Sequence, residues 1–300
     1  RAHFLMFLRR FIMNQIITYI FLIIRIISNP AANAFQKKLS YSIPSSIINF
    51  YTYLILSIFC IPFFYKYVQI STYGANFWFY ILTAGLLCAL GTLYLIKAIN
   101  IGELSVIGPI NSYKSVIGLI SAFIFLREVP SVIGIAGVIL IVAGSYFIFE
   151  NEKEGFSFSL LKRKDIQYRF FALILTGTEA AILKRIIIMS SVETCFIFWC
   201  LSGLFWSFFI IFILKRKIKL PEKELIKYLF LIAVCLGLMQ YSTNYVFERM
   251  NVGFALALFQ LSSVITVFLG YKFFKEENII KKLTGTTIML LGAMLIILFN

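Results

Sequence analysis

The sequence predicts an all-α membrane protein: ten transmembrane helices in two five-helix repeats of inverted topology. Three observations predict it. The composition is too apolar for a soluble fold, ten apolar segments have membrane-spanning length, and a set of residues recurs in order in the two halves. Of 300 residues, 61% are hydrophobic and 14% charged, and the mean hydropathy is +0.92. A soluble domain carries about a quarter charged residues, so this chain lacks the polar surface to coat a body of its size. The same numbers exclude an intrinsically disordered chain.

A helix crosses the hydrocarbon core with roughly 20 mostly apolar residues. Ten segments meet that need, at 14–36, 43–65, 76–98, 103–126, 131–149, 166–188, 192–214, 226–248, 252–274 and 279–299. The connection Arg127-Glu128-Val129-Pro130 is so short that the segments it joins must run antiparallel. Residues 1–12 read as an extension ahead of Met13, outside the mechanism. Residues 13–149 form the first repeat, 150–165 a polar linker and 166–300 the second repeat. A cleavable signal peptide is not expected, because the first apolar stretch runs too long and has no small-residue cleavage site.

The repeat is visible residue by residue. Asn100-Ile101-Gly102 recurs as Asn251-Val252-Gly253, with Tyr94 and Tyr245 each upstream at the same spacing. Glu128, Gly137 and Gly144 recur as Glu276, Gly285 and Gly292, and Lys37 is matched by Lys184. Ordered recurrence at near-constant offset marks an internal repeat. Five spans is an odd number, so the second copy enters the membrane from the opposite side, as in many secondary transporters. The glycine pairs sit two helical turns apart on one face and read as helix-packing positions. Glu128 and Glu276, at helix ends, read as interfacial caps or loop contacts.

The order of these features resembles the drug/metabolite transporter superfamily, in its EamA-like ten-helix family. The resemblance rests on Pro109, Leu126-Arg127-Glu128 and Gly137 with Gly144, and on a second copy in Phe274-Lys275-Glu276 and Gly285 with Gly292. It implies ten helices in two inverted repeats around a central cavity, a small metabolite, amino acid or drug as cargo, and both termini in the cytoplasm.

The net charge is +15. Runs such as Lys162-Arg163-Lys164 and Lys215-Arg216-Lys217 read as loop anchors at an anionic lipid surface. Nucleic acid is not an expected partner, since no recognition motif accompanies the charge. On the side of the termini lie eight Lys and Arg, against eighteen on the other, with Arg25 and Lys114 inside helices. The positive-inside rule then places both termini outside a cell membrane crossed many times. This opposes the resemblance. The five cysteines fall in apolar segments without a C-x-x-C pair, and His3 is the one histidine, so no metal site and no cofactor are expected. A nucleotide-binding loop is missing, as are the D-x-x-D, H-E-x-x-H and G-x-S-x-G patterns. Neither an enzyme nor a direct ATP pump is expected. A selectivity filter is not visible either.

Ionisable residues within a span are costly and mark function by default. Lys114 lies near the middle of the fourth segment and Glu179 near the middle of the sixth. Either they line a cavity, Lys114 attracting a carboxylate or phosphate and Glu179 an ammonium, or they form a structural ion pair. Arg25 lies nearer the membrane edge, within reach of snorkelling. Asn29 and Asn33 project from one face beside Pro30, whose missing N–H favours a kink. Asn111 follows Gly108-Pro109 in the fourth segment. Gln240 and Asn244 share a face of the eighth, followed by Tyr245. These eight residues (Asn29, Asn33, Asn111, Lys114, Glu179, Gln240, Asn244 and Tyr245) are the candidate substrate site. Polar residues concentrate in segments one, three, four, six, eight and nine.

The sequence therefore points to a secondary transporter of a small organic solute, an amino acid or related carboxylate, working by alternating access in the lipid bilayer. A lipid or lipid-linked sugar flippase and a multidrug or cation exporter are the alternatives. Small multidrug exporters of the superfamily carry an acidic residue two turns before a lysine; here those positions hold Asn29 and Thr176. Proton coupling would fall instead to Glu179, three residues along.

Overall fold

The structure, a computed structural model, describes the backbone of residues 2–68, 73–121, 131–149, 162–218 and 221–299, with side chains from residue 13 onward apart from 118–121 and 149. Of residues 2–12 only the helical backbone is described, and the expectations for the 126–130 connection with Glu128 and for most of the 150–165 linker lie outside the described residues. Among the described residues all regular structure is helical. The elements are α1 (Ala2–Ser40), α2 (Ser45–Tyr67), α3 (Ala75–Ile101), α4 (Leu104–Ile107), a 3₁₀ turn (Pro109–Ser112), α5 (Tyr113–Ser121), α6 (Val132–Phe149), α7 (Lys164–Met189), α8 (Val192–Ile213), α9 (Lys223–Arg249), α10 (Val252–Phe259), α11 (Ser262–Phe274) and α12 (Ile279–Phe299).

Seven stretches of the described residues are long and apolar enough to cross a membrane: Met13–Ser40, Ser45–Tyr67, Ala75–Ile101, Val192–Ile213, Lys223–Arg249, Val252–Phe274 and Ile279–Phe299. Val132–Ile148 is a shorter apolar helix. The chain is a multi-pass membrane protein. The sixth segment forms α7, 26 residues long; Arg169 and Glu179 dilute its apolar character, and both are buried.

Two expected spans are not continuous α-helices. The fourth breaks at Pro109, which has no N–H to give. Asn111 N–H bonds Gly108 O, three residues back, in place of Ile107 O. The ninth breaks as well, a feature its uniformly apolar start did not announce. Gln260, Leu261 and Ser263 donate to carbonyls three residues back. The Ser262 and Ser263 hydroxyls bond Phe259 O and Gln260 O, the back-bonding that bends helices. Pro30, by contrast, lies within an unbroken α1.

The two halves pack in reciprocal pairs: α1 on α9, α3 on α7, α2 on α8 and α6 on α12. In α2 and α8, Ser57 Oγ donates to Cys200 O at 3.1 Å and Asn49 Nδ2 to Ser207 Oγ at 3.3 Å. As residue numbers fall in α2 they rise in α8, so the two run antiparallel. In α6 and α12 a Cβ on Gly137 would sit 2.6 Å from Gly292 O, and one on Gly144 2.6 Å from Gly285 O. Backbone meets backbone there, again antiparallel, and only glycine permits the approach. A third such pair is α4 with α11, where a Cβ on Gly108 would meet Thr266 Cγ2 at 2.5 Å and one on Gly270 would meet Ser105 N at 3.1 Å.

Candidate functional site

Between the helices lies a cavity of about 120 Å³, room for a few waters or a small solute. Among the described residues its wall comes from α1, α3, the α4–α5 break, α7, α9 and the α10–α11 break, with Trp199 from α8 and none from α2, α6 or α12. Apart from Trp199, the contributing elements are those in which the sequence concentrates polar residues.

Beside the cavity the two broken helices touch. Asn111 Nδ2 donates to Gln260 Oε1 at 2.8 Å. Arg169, on α7, is 7% exposed. Its Nη2 donates to Asn111 Oδ1 at 2.8 Å and its Nε to Ile107 O at 3.0 Å. Ile107 O is the carbonyl that the 3₁₀ turn releases from Asn111 N–H. The guanidinium thus holds open a break that Pro109 starts, since freed carbonyls at membrane depth need a partner in protein or water.

Lys114, just after the break, lines the cavity and has no ion pair among the described residues. Of the two readings of Lys114 and Glu179, the structural ion pair is not formed, and both residues line the cavity. Glu179 Oε1 instead accepts from Trp199 Nε1 at 2.8 Å, and the residue is 5% exposed. Arg25 also departs from expectation. It turns inward and lies over the Phe259 ring, 4.3 Å from its centroid, rather than snorkelling, and its Nε and Nη1 are buried without a partner. Asn29 and Asn33 line the cavity from the same helix. Gln240 lines it from α9 and donates to Asn244 Oδ1 at 2.9 Å. Asn244 is fully buried behind Gln240, its Nδ2 unpartnered. Tyr245 is not in the wall; it stacks on Phe21 at 4.1 Å and carries the Arg249 guanidinium on its ring.

Among the lining residues outside the predicted site are Arg169, Gln36 and Trp199. Arg169 lies near the start of its segment, close to the Lys162-Arg163-Lys164 run, and the packing of α7 on α3 carries it inside. Gln36 is 1% exposed with both amide atoms unpartnered. It extends the Asn29–Asn33 face by three residues, which was the signal available for it. Trp199 lies in a uniformly apolar segment and left no signal.

A cluster of buried charge lies where the C-terminal end of α1 meets the start of α4. Lys37 Nζ contacts Glu276 Oε1 at 2.8 Å and Gly102 O at 2.9 Å. Glu276 also accepts from Leu104 N at 2.7 Å and Ser105 N at 2.8 Å, capping α4 from the far end of the chain. Burial alone would raise the Glu276 carboxyl; the Lys37 ammonium and the Ser105 donors outweigh it, so the carboxyl lies below its ordinary range. Lys282 pairs with Glu103 and Ser105 alongside. Lys184, the repeat-mate of Lys37, donates to Phe247 O and Glu248 O.

No curated protein has a sequence that matches this chain. A solved crystal structure, described only as that of a protein, shares its fold with a TM-score of 0.67 at 12% identity, over 93% of this chain and 95% of that one. At that identity the likeness is one of fold alone. The model of the EamA-like transporter family matches twice, over residues 7–150 and 166–298. Both copies lie on the halves already paired around the cavity, and together they take in nearly the whole sequence. The chain belongs to the EamA-like transporter family, within the drug/metabolite transporter superfamily.

Proposed function

We propose that the protein is a secondary transporter that moves a small organic solute with an acidic group by alternating access, around the cavity between two five-helix repeats of opposite orientation. The antiparallel crossings of α2 with α8, α4 with α11 and α6 with α12 support the inverted, ten-span reading, because each pairs equivalent members of the two halves. The observation that carries the functional reading is the meeting of two interrupted helices at Asn111 and Gln260, beside Lys114, which has no ion pair among the described residues. Interrupted spans facing each other across a polar cavity are how transporters expose backbone and charge to a solute at midplane. The substrate site comprises Asn29, Asn33, Asn111, Lys114, Glu179 and Gln240, with Asn244 and Tyr245 behind them. Glu179 is the group placed to carry a coupled proton. Placing Arg169 in the cavity leaves the charge bias pointing the same way, with both termini outside the cell membrane.

The test is counterflow in proteoliposomes with amino acids, carboxylates and sugar phosphates as trapped solutes. One solute class drives counterflow, and Lys114→Ala abolishes it while keeping its melting temperature in detergent. Failure of every solute, with lipid scrambling in the same vesicles, would replace the reading.

A lipid flippase is the second reading. An apolar cleft of about 500 Å³ between α2, α8 and α9, with Phe59, Phe63, Phe230 and Leu238 in its wall, suits an acyl chain. Gln240 faces the cavity while Tyr241 faces the cleft. The body of α9 therefore stands between the two spaces, which favours the solute reading.

A further inference from the structure

We infer that the transported solute is a net anion whose doubly charged head, a phosphate monoester or a dicarboxylate, sits between Arg25 and Lys114, and that a zwitterion is not the preferred cargo. This deepens the transporter reading and rests on it. The charge balance of the cavity wall is the first observation. Among the described residues, Arg25, Lys114 and Arg169 face it against a single carboxylate, Glu179.

The hydrogen-bond inventory is the second, and it is independent of the first. Arg169 is already committed to Ile107 O and Asn111 Oδ1. Glu179 is committed to Trp199. Arg25 keeps two buried nitrogens with no acceptor, because Phe259 covers the face of its guanidinium and offers no acceptor at the edge. Lys114 brings three donors and no ion pair among the described residues. Gln36, 1% exposed and on the same wall, leaves both a donor and an acceptor unused.

Buried polar groups are ordinarily satisfied, and a charged donor left over in a cavity marks where a ligand's acceptors belong. A zwitterion supplies one carboxylate and adds another cation to a wall already in excess. A dianion matches both free cations and still finds the Gln36 amide for a hydroxyl.

The experiment is competition for counterflow, and for thermal stabilisation in detergent, among four probes of similar size: succinate, glycerol 3-phosphate, butyrate and glutamine. The expected result is that one dianion binds at least tenfold more tightly than butyrate or glutamine. Succinate and glycerol 3-phosphate separate the carboxylate source from the phosphate source. Arg25→Gln and Lys114→Gln each weaken the dianion tenfold or more, and an unchanged dianion affinity in both variants would overturn the assignment. Tighter binding of glutamine than of both dianions, lost in Lys114→Gln, would overturn the anion assignment while leaving the transporter reading in place. Stabilisation by none of the four, with lipid scrambling intact, would remove both. The wild-type competition decides the matter even where a variant does not fold.

Discussion

Asn111 on the first broken helix donates its side-chain amide to Gln260 on the second, over 2.8 Å. The bond joins the point where the 3₁₀ turn interrupts one half of the chain to the point where serine back-bonding bends the other. Asn111 does a second task with its carbonyl oxygen, which accepts from Arg169. Asn111→Leu therefore strands a buried guanidinium, whereas Gln260→Leu removes a neutral bond. The expected losses are about 1.5–3 kcal/mol for the first and about 1 kcal/mol for the second, read as a larger fall in melting temperature for Asn111→Leu. Equal falls would show that Arg169 does not depend on Asn111.

Arg169→Lys should fail to substitute for arginine. The guanidinium serves Ile107 O and Asn111 Oδ1 with two nitrogens of one planar group, and an ammonium on a flexible stem does not reproduce that fork. Counterflow should drop at least tenfold although the charge is kept. Wild-type rates in Arg169→Lys would mean that charge alone matters at this position.

The Lys37–Glu276 pair predicts a dependence on acid. The Glu276 carboxyl is depressed in the folded protein, so its contribution is complete above the ordinary carboxylate range and is lost as pH falls through the folded value. The melting temperature should decline as pH drops below about 4. Glu276→Gln should be less stable at neutral pH by about 3–5 kcal/mol, because Lys37 stays buried without its counter-charge, and its acid decline should be shallower. An unchanged acid profile in Glu276→Gln would assign the decline to other groups.

The α6–α12 contact makes two glycine positions opposites. A methyl at Gly144 would lie 2.6 Å from the carbonyl of Gly285, and backbone cannot step aside. Gly144→Ala should cost about 1–3 kcal/mol. Gly177 on α7 has open space where a Cβ would go, so Gly177→Ala should be neutral or gain up to about 1 kcal/mol from helix propensity. Detergent melting curves of the two variants, side by side, check the packing.

The charge bias predicts sidedness. Lys217, exposed after α8, lies on the richer side and is expected inside the cell. An impermeant maleimide should label Lys217→Cys only in inside-out vesicles. Labelling only in right-side-out vesicles would reverse the orientation.

Much of this was legible in the chain before any contact was known. Membrane residence follows from composition, because apolar content is a sum over residues and needs no geometry. The repeat follows from the order of matched residues, and the Pro109 break from a ring that has no N–H. Six of the eight residues picked out as a substrate site line one cavity; Asn244 and Tyr245 stand behind or beside it. Periodicity says that Asn29, Asn33 and Gln36 share a face, but only the neighbours of α1 say what that face meets.

What the tertiary structure alone decided are the partners. The bend at Gln260–Ser263 arises from hydroxyl bonds that no residue pattern in an apolar run compels. Arg169 is a cavity residue because α7 packs on α3, and its depth belongs to that packing rather than to its place in the segment. Lys114 and Glu179 share a cavity but not a bond, and the Glu179 carboxylate accepts from Trp199 instead. A sequence lists which charges enter the membrane; which of them remain uncompensated depends on distances of a few ångströms between residues far apart in the chain, and only packing sets those.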